Sequence, residues 1–347
     1  MVLQRLRFRG VSFKTVCKAN EEEENLSNKK IVICDLDHED VETERAVLEK
    51  AGFDFDWLHC KTQDEVIENC KDAVVLMNQY VRMDRKIFEA LPNLRCVVRY
   101  GVGVDNINLD DADEFGVQAC NVPDYGTREV ADQALALMMC LTRKVAFTNS
   151  LIRKGVWDYR REIPIYRMSA MTVGIYGIGR IGSEFAKRVY AMGCKVIASD
   201  IEAGNKNRIF PDFVEFVSEE ELLTQSDIIS IHCPLRQDTY HVFGKEQFKA
   251  MKNSAYIVNV ARGGIIDEEA LEWALANKEI AGAGLGVVEH EPLTADHPLL
   301  KHDNFIVSPH TAWYSEESAE ELNRKVAEEA VRFMKNEPVH YPVNLKK

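Results

Sequence analysis

Three side chains able to grip an acid, carry a charge and move a proton stand just past short apolar runs that read as β-strands. They are Arg262 in Val260-Ala261-Arg262-Gly263-Gly264, Glu291 in Glu289-His290-Glu291-Pro292, and His310 in Ser308-Pro309-His310-Thr311-Ala312-Trp313. A fourth strand-end segment, Arg99-Tyr100-Gly101-Val102-Gly103-Val104-Asp105-Asn106, is rich in glycine. A guanidinium presents a planar fork of donors to a carboxylate, an imidazole can give or take a proton near neutrality, and a carboxylate beside it favours its charged form. In open α/β sheets, ligands collect outside the carboxyl ends of the strands. His310 is one of nine histidines, and its place after Pro309 at a strand end sets it apart. The paired glycines after Arg262 mark a close approach of backbone. Glu289 and His290 read as loop charges.

The element these groups would serve is Thr172 to Asp200. An apolar, β-rich run from Thr172 to Tyr176 leads into Gly177-Ile178-Gly179-Arg180-Ile181-Gly182, spaced G-x-G-x-x-G. An amphipathic helix follows from Ser183 to Met192, then a second apolar run from Lys195 to Ser199 that ends at Asp200. Gly177 permits the turn, Gly179 lets backbone approach a pyrophosphate, and Gly182 lets the helix sit close to the strand. Unpaired N–H groups opening the helix attract phosphate. Asp200 is placed to accept from a ribose hydroxyl pair, and Glu202 nearby disfavours a 2′-phosphate, so the pattern points to NAD rather than NADP. Bare glycine spacing is weak; the flanking strands, helix and terminal acid strengthen it.

The rest of the chain must position these parts. At 347 residues it accommodates two domains, and 46% apolar with 29% charged residues is a globular composition. A net charge of −13 disfavours direct binding to nucleic acid or an anionic membrane. No apolar run approaches the ~20 residues needed to span a bilayer. Nine scattered cysteines without C-x-x-C suggest neither disulfides nor a metal site and fit a reducing, cytoplasmic compartment. Residues 1–29 are basic and then acidic, and are expected to be a disordered leader, with a targeting peptide as the other reading.

From Lys30 the pattern alternates strand and helix, which predicts parallel sheets covered on both faces. Glu129 to Lys144 is apolar almost all round and reads as a helix buried between domains. Ser150 to Met168, with Trp157, Tyr159, Arg160, Arg161 and Tyr166, is a surface loop or a subunit interface. The expected architecture is two doubly wound parallel-sheet domains. A Rossmann NAD-binding domain, 125–314, is inserted in a flavodoxin-like substrate domain, 30–124 plus 315–347.

The stretches GVGVDNI, NVPDYGTREVADQALAL, GIGRIG, IHCPL, VNVARGGIIDEEAL, EHEP and SPHTAWYS occur in this order. With them the chain resembles the D-isomer-specific 2-hydroxyacid dehydrogenases over roughly 30 to 335, most nearly the C-terminal-binding-protein branch. The resemblance implies that Arg262 holds the substrate carboxylate and polarises its C2 carbonyl, that His310 is the acid/base, and that Glu291 holds the other imidazole nitrogen. It further implies that Val102 and Gly103 offer N–H groups to the carboxylate, that Arg99 adds charge, and that Trp313 walls the pocket. Val130, Ile178, Arg180, Ile181, Cys233, Pro234, Val260, Ala261, Gly286 and His310 would line the cofactor, and a homodimer is implied.

One position departs from the family. Gly286 stands in Gly284-Leu285-Gly286-Val287 where an aspartate is expected to accept from the nicotinamide carboxamide. Loss of such a charged hydrogen bond costs ~1.5–3 kcal/mol of ring positioning. The leading reading is an NAD-dependent dehydrogenase acting on a small 2-oxoacid or 2-hydroxyacid. Its alternatives are an NADH-sensing corepressor-like binding protein, marked by an exposed apolar groove on 30–80, and an impaired enzyme that senses NAD. A phosphorylated acid is conceivable if Arg82, Arg85 and Arg99 face it.

Overall fold

The computed structural model describes residues 30–205 and 207–344; the leader expected at 1–29 lies outside the described residues. The described chain divides into two compact units, one of 30–125 with 319–344 and one of 126–318.

The first unit is built on strands β1 (Lys30–Ile33), β2 (Phe55–Trp57), β3 (Ala73–Asn78), β4 (Cys96–Arg99) and β5 (Gln118–Cys120). Every pairing is parallel and the order is β2-β1-β3-β4-β5, the flavodoxin-like winding. Ile31, Val32, Val75, Leu76, Val97 and Val98 are fully buried, as strands covered on both faces require. β2 and helix Gln63–Asn69 were not legible as apolar runs. The helix is set by a capping box in which Thr62 and Glu65 satisfy each other's backbone donors.

The second unit carries β6 (Thr172–Tyr176), β7 (Lys195–Ser199), β8 (Glu215–Phe216), β9 (Ile228–Ile231), β10 (Tyr256–Asn259), β11 (Gly282–Leu285) and β12 (Phe305–Val307). Their order, β12-β11-β10-β9-β6-β7-β8, is parallel throughout and reverses direction at β6, where the Rossmann topology puts its nucleotide crevice. Helix Arg180–Ala191 buries Phe185, Ala186 and Val189 against this sheet.

The long apolar segment differs from expectation. Helix Thr127–Thr142 buries one face, including Val130, Ala134, Leu137 and Leu141. That face lies on β11, where a Cβ at Gly284 would come 3.1 Å from Leu141 Cδ1. Arg128 and Asp132 on the opposite face are exposed, so the helix is not apolar all round. Lys144, left-handed at φ 53°, ends the run and a second helix, Val145–Arg153, begins. This helix buries none of its residues, and Trp157 beyond it is 89% exposed. No single helix among the described residues is long and apolar enough to cross a membrane.

Candidate active site

Three neighbouring strands of the seven-stranded sheet end in the three groups that could do chemistry. Arg262 follows β10, Glu291 follows β11 and His310 follows β12, and these strands pair side by side in parallel. Local packing then draws their loops together. A Cβ at Gly263 would lie 2.0 Å from Val288 C and 2.3 Å from Glu289 N, so only glycine lets the Arg262 turn rest on the loop after β11. The His310 N–H donates to Gly286 O at 3.1 Å, tying the loop after β12 to the same place.

The result is an imidazole–carboxylate pair, with His310 Nδ1 at 2.7 Å from Glu291 Oε2. His310 holds a left-handed backbone, φ 54°. Histidine tolerates that region better than most residues, and at a site it signals an imposed geometry. The pair is reachable by solvent or substrate, the side chains being 44% and 39% exposed. Burial pushes the Glu291 carboxyl up. The hydrogen bond and charge of His310, the Val288 N–H and the Arg262 charge outweigh it, so its pKa is lowered overall. Glu291 is therefore a carboxylate facing an imidazole at Nδ1, which leaves Nε2 as the atom free of that partner.

Glu289 is not the loop charge the sequence suggested. Its carboxylate accepts from the Tyr240 hydroxyl at 2.9 Å and lies 2.9 Å from His241 Nε2. The contact with Glu289 holds the Tyr240 phenol above its ordinary range, with burial adding to it. No motif signalled this, because Tyr240 and Glu289 are 49 positions apart. His290 is exposed, as a loop charge would be.

The glycine turn has the features a dinucleotide needs. Gly177 is at φ +87°, and a Cβ there would strike the Cys233 backbone at 2.8 Å. A Cβ at Gly182 would fall 2.5 Å from Gly177 O, while one at Gly179 would meet nothing within 4 Å. The turn is therefore sealed against the protein on two sides and open at its middle, where phosphate would sit against the first N–H groups of the helix. Asp200 accepts from Ile178 N and Glu202 N, both at 2.7 Å. Arg208, unremarked in the sequence, places Nη1 3.6 Å from Asp200 and donates to Ile178 O. Val130 and Val260 are buried while Arg180 and Pro234 are exposed, and Ile181, Cys233 and Ala261 lie between.

A family model described as "D-isomer specific 2-hydroxyacid dehydrogenase, NAD binding domain" matches residues 135–312. A glyoxylate reductase of Korarchaeum cryptofilum is 38% identical over 277 residues, covering 78% of this chain and 83% of that protein. The chain belongs to the D-isomer specific 2-hydroxyacid dehydrogenase family. A D-3-phosphoglycerate dehydrogenase of Archaeoglobus fulgidus is 37% identical over 79% of this chain, which spans about half (51%) of that longer protein. The solved D-lactate dehydrogenase of Aquifex aeolicus, complexed with NAD and lactic acid, superposes with a TM-score of 0.80. It is 26% identical and covers 88% of this chain and 96% of its own. The cofactor of this dehydrogenase is NAD.

The remaining expected residues fall as follows. Arg99, Val102 and Gly103 stand at the carboxyl end of β4 in the other unit. There the loop's carbonyls are turned inward: Val122 N donates to Gly101 O at 3.0 Å and Asn121 Nδ2 to Val102 O at 2.6 Å. Trp313 is half-buried and packs on the core beneath helix Thr127–Thr142, edge-on to Tyr314. Gly286 is buried between Asn259 O, which its N–H reaches at 2.8 Å, and Val260. Among the described residues no group of His, Cys, Asp and Glu is arranged to hold a metal.

Proposed function

We propose that this chain reduces a small, unphosphorylated 2-oxoacid of glyoxylate or hydroxypyruvate size to its 2-hydroxyacid, reversibly, at the Arg262–Glu291–His310 site. The observation that carries this is the 2.7 Å His310 Nδ1–Glu291 Oε2 contact, at the end of a strand next to the one bearing Gly286 and next but one to that bearing Arg262. Gly177–Gly182 would hold the pyrophosphate of NADH and Asp200 its ribose, and the bound cofactor would supply hydride for C2. Arg262 holds the carboxylate and draws electron density toward the carbonyl oxygen. His310 delivers a proton from Nε2 to that oxygen as negative charge develops there, and in the oxidative direction takes it back. Glu291 keeps Nδ1 as the hydrogen-bonded nitrogen and stabilises the imidazolium. The Val102 and Gly103 N–H groups and Arg99 would offer donors and charge to a carboxylate, and Trp313 would wall the substrate.

The preference for an unphosphorylated acid rests on the arginines. Arg82 is paired with Asp84 at 3.0 Å, and Arg85 sits among Glu89, Asp111 and Glu114. The Arg82 and Arg85 guanidinium groups are thus already neutralised. For the binding-module reading, Tyr80 is the one large apolar side chain exposed among described residues 30–80, which is little for a peptide groove. The exposed apolar run through Val145, Ile152, Trp157, Tyr159, Ile163 and Tyr166 supports a homodimer in which a second copy covers it. All eight described cysteines are free, in keeping with a reducing cytoplasm.

The test is an NADH-oxidation assay of purified protein across glyoxylate, hydroxypyruvate, pyruvate and phosphohydroxypyruvate. Turnover of the first two above the last is expected. Turnover of none would defeat the proposal.

A further inference from the structure

Two residues before Glu291, the Glu289 carboxylate is clasped from outside its own loop. The Tyr240 hydroxyl donates to Oε1 at 2.9 Å, and His241 Nε2 lies 3.0 Å from Oε1 and 2.9 Å from Oε2. The Tyr240 and His241 rings stack with centroids 3.9 Å apart, so both donors belong to one plate. His241 keeps a left-handed backbone, φ 51°, a conformation that persists only where surroundings impose it. The Glu289 N–H donates to Glu268 Oε1 at 2.7 Å, anchoring the main chain as well. One residue earlier, the Val288 N–H donates to Glu291 Oε1 at 3.2 Å. Glu289 therefore fastens, by side chain and backbone, the short arm whose end carries Glu291. A solvated loop charge would not be held this way; the Glu289 side chain is 19% exposed.

We propose that Glu289, clasped by Tyr240 and His241, is a positioning residue for the acid/base pair. It sets the 288–291 arm so that Glu291 Oε2 meets His310 Nδ1. Glu289 acts through Glu291, and the inference rests on the roles proposed above for Glu291 and His310. If the arm is loosened, Glu291 samples positions from which the imidazole is no longer oriented, and the proton-transfer step slows while cofactor affinity is kept.

The experiment compares the unaltered protein with Glu289→Gln, Tyr240→Phe, Glu291→Gln and the double variant Glu289→Gln/Glu291→Gln. Each is assayed by steady-state NADH oxidation with the 2-oxoacid the unaltered protein turns over best. Glu289→Gln is expected to lower kcat on the order of tenfold with KM for NADH within about twofold. In the Glu291→Gln background the same change should remove less than about twofold more, because both act through one contact. Tyr240→Phe, which deletes only an exposed hydroxyl, should lower kcat by about threefold and gives the answer if Glu289→Gln fails to fold. An unchanged kcat in folded Glu289→Gln or, failing that, Tyr240→Phe overturns the proposal, as does a loss that multiplies with that of Glu291→Gln. If Glu291→Gln itself loses nothing, the acid/base reading falls and takes this inference with it; the other adverse outcomes defeat this inference alone.

Discussion

The loop after β11 carries two carboxylates, two positions apart, and each meets an imidazole. Glu291 meets His310 at 2.7 Å, with both side chains about two-fifths exposed, at 39% and 44%. Glu289 meets His241 at 2.9 Å with the side chains 19% and 31% exposed, and a tyrosine hydroxyl completes its shell. The chemistry of the groups is the same; the difference lies in what surrounds them. His310 stands past the strand next to that bearing Gly286, its partner Glu291 feels the Arg262 charge, and its Nε2 is turned away from Glu291. His241 presents Nε2 itself to its carboxylate, so the nitrogen that could have moved a proton is already occupied. A histidine beside a glutamate is therefore not a catalytic signature. The nitrogen left available decides.

The largest effect expected from breaking this comparison is at His310. His310→Gln should lower kcat for reduction by about 10²–10⁴ with KM for NADH little changed, whereas His241→Gln should not. Stopped-flow or steady-state NADH absorbance checks it. Equal losses in the two variants would erase the distinction.

Gly263→Ala should disturb both pairs at once, because its Cβ would meet the Val288–Glu289 backbone. Overpacking of this kind costs about 1–3 kcal/mol. Thermal unfolding should show a lower Tm together with a drop in kcat of one to two orders of magnitude, roughly, through misplacement. A variant with unchanged Tm and kcat would mean that the two loops are not locked as described.

The acid limb of the pH profile sharpens the contrast further. The Glu291 pKa is lowered, so its contribution is present above the ordinary glutamate range and is lost as pH falls through the lowered value. Reduction should therefore hold through the ordinary range, near 4.5, and fail only below it. Glu291→Gln should lower kcat about 10–100-fold and flatten the acid limb, as measured by kcat/KM against pH.

The smallest change is a gain. Gly286→Asp supplies the acceptor that the family resemblance implies at this position, and its Cβ would lie 3.1 Å from Val260 Cγ1, a neighbour that must give slightly. Titration of NADH should show affinity tightened about threefold, a fraction of the ~1.5–3 kcal/mol a charged hydrogen bond can contribute. No change in either KM for NADH or kcat would place Gly286 away from the nicotinamide.

Much of this was readable along the chain. The G-x-G-x-x-G turn with Asp200 carries its own local physics, since left-handed φ, close packing and open backbone donors are properties of a dozen residues. The same holds for β1, β3, β4 and, other than the two-residue β8, the strands of the second unit, whose apolar runs speak for themselves. The helices Gln63–Asn69 and Glu219–Gln225 leave no apolar period to read, because these short polar helices are set by their caps, Thr62 and Ser218. Helix Thr127–Thr142 was misjudged for the opposite reason. Its many apolar residues concealed one exposed polar edge.

Residue types alone determined that an arginine, a glutamate and a histidine would stand at the ends of successive strands of a nucleotide-binding sheet. That follows from local hydrophobic pattern and from glycines whose steric demands are confined to their own turns. Which carboxylate meets which imidazole was decided only by tertiary packing. Tyr240, His241, Glu268 and Glu289 converge from segments far apart in the chain, and hydrogen bonds at 3 Å or less depend on strand order and loop contact, which carry no mark in any single stretch of sequence.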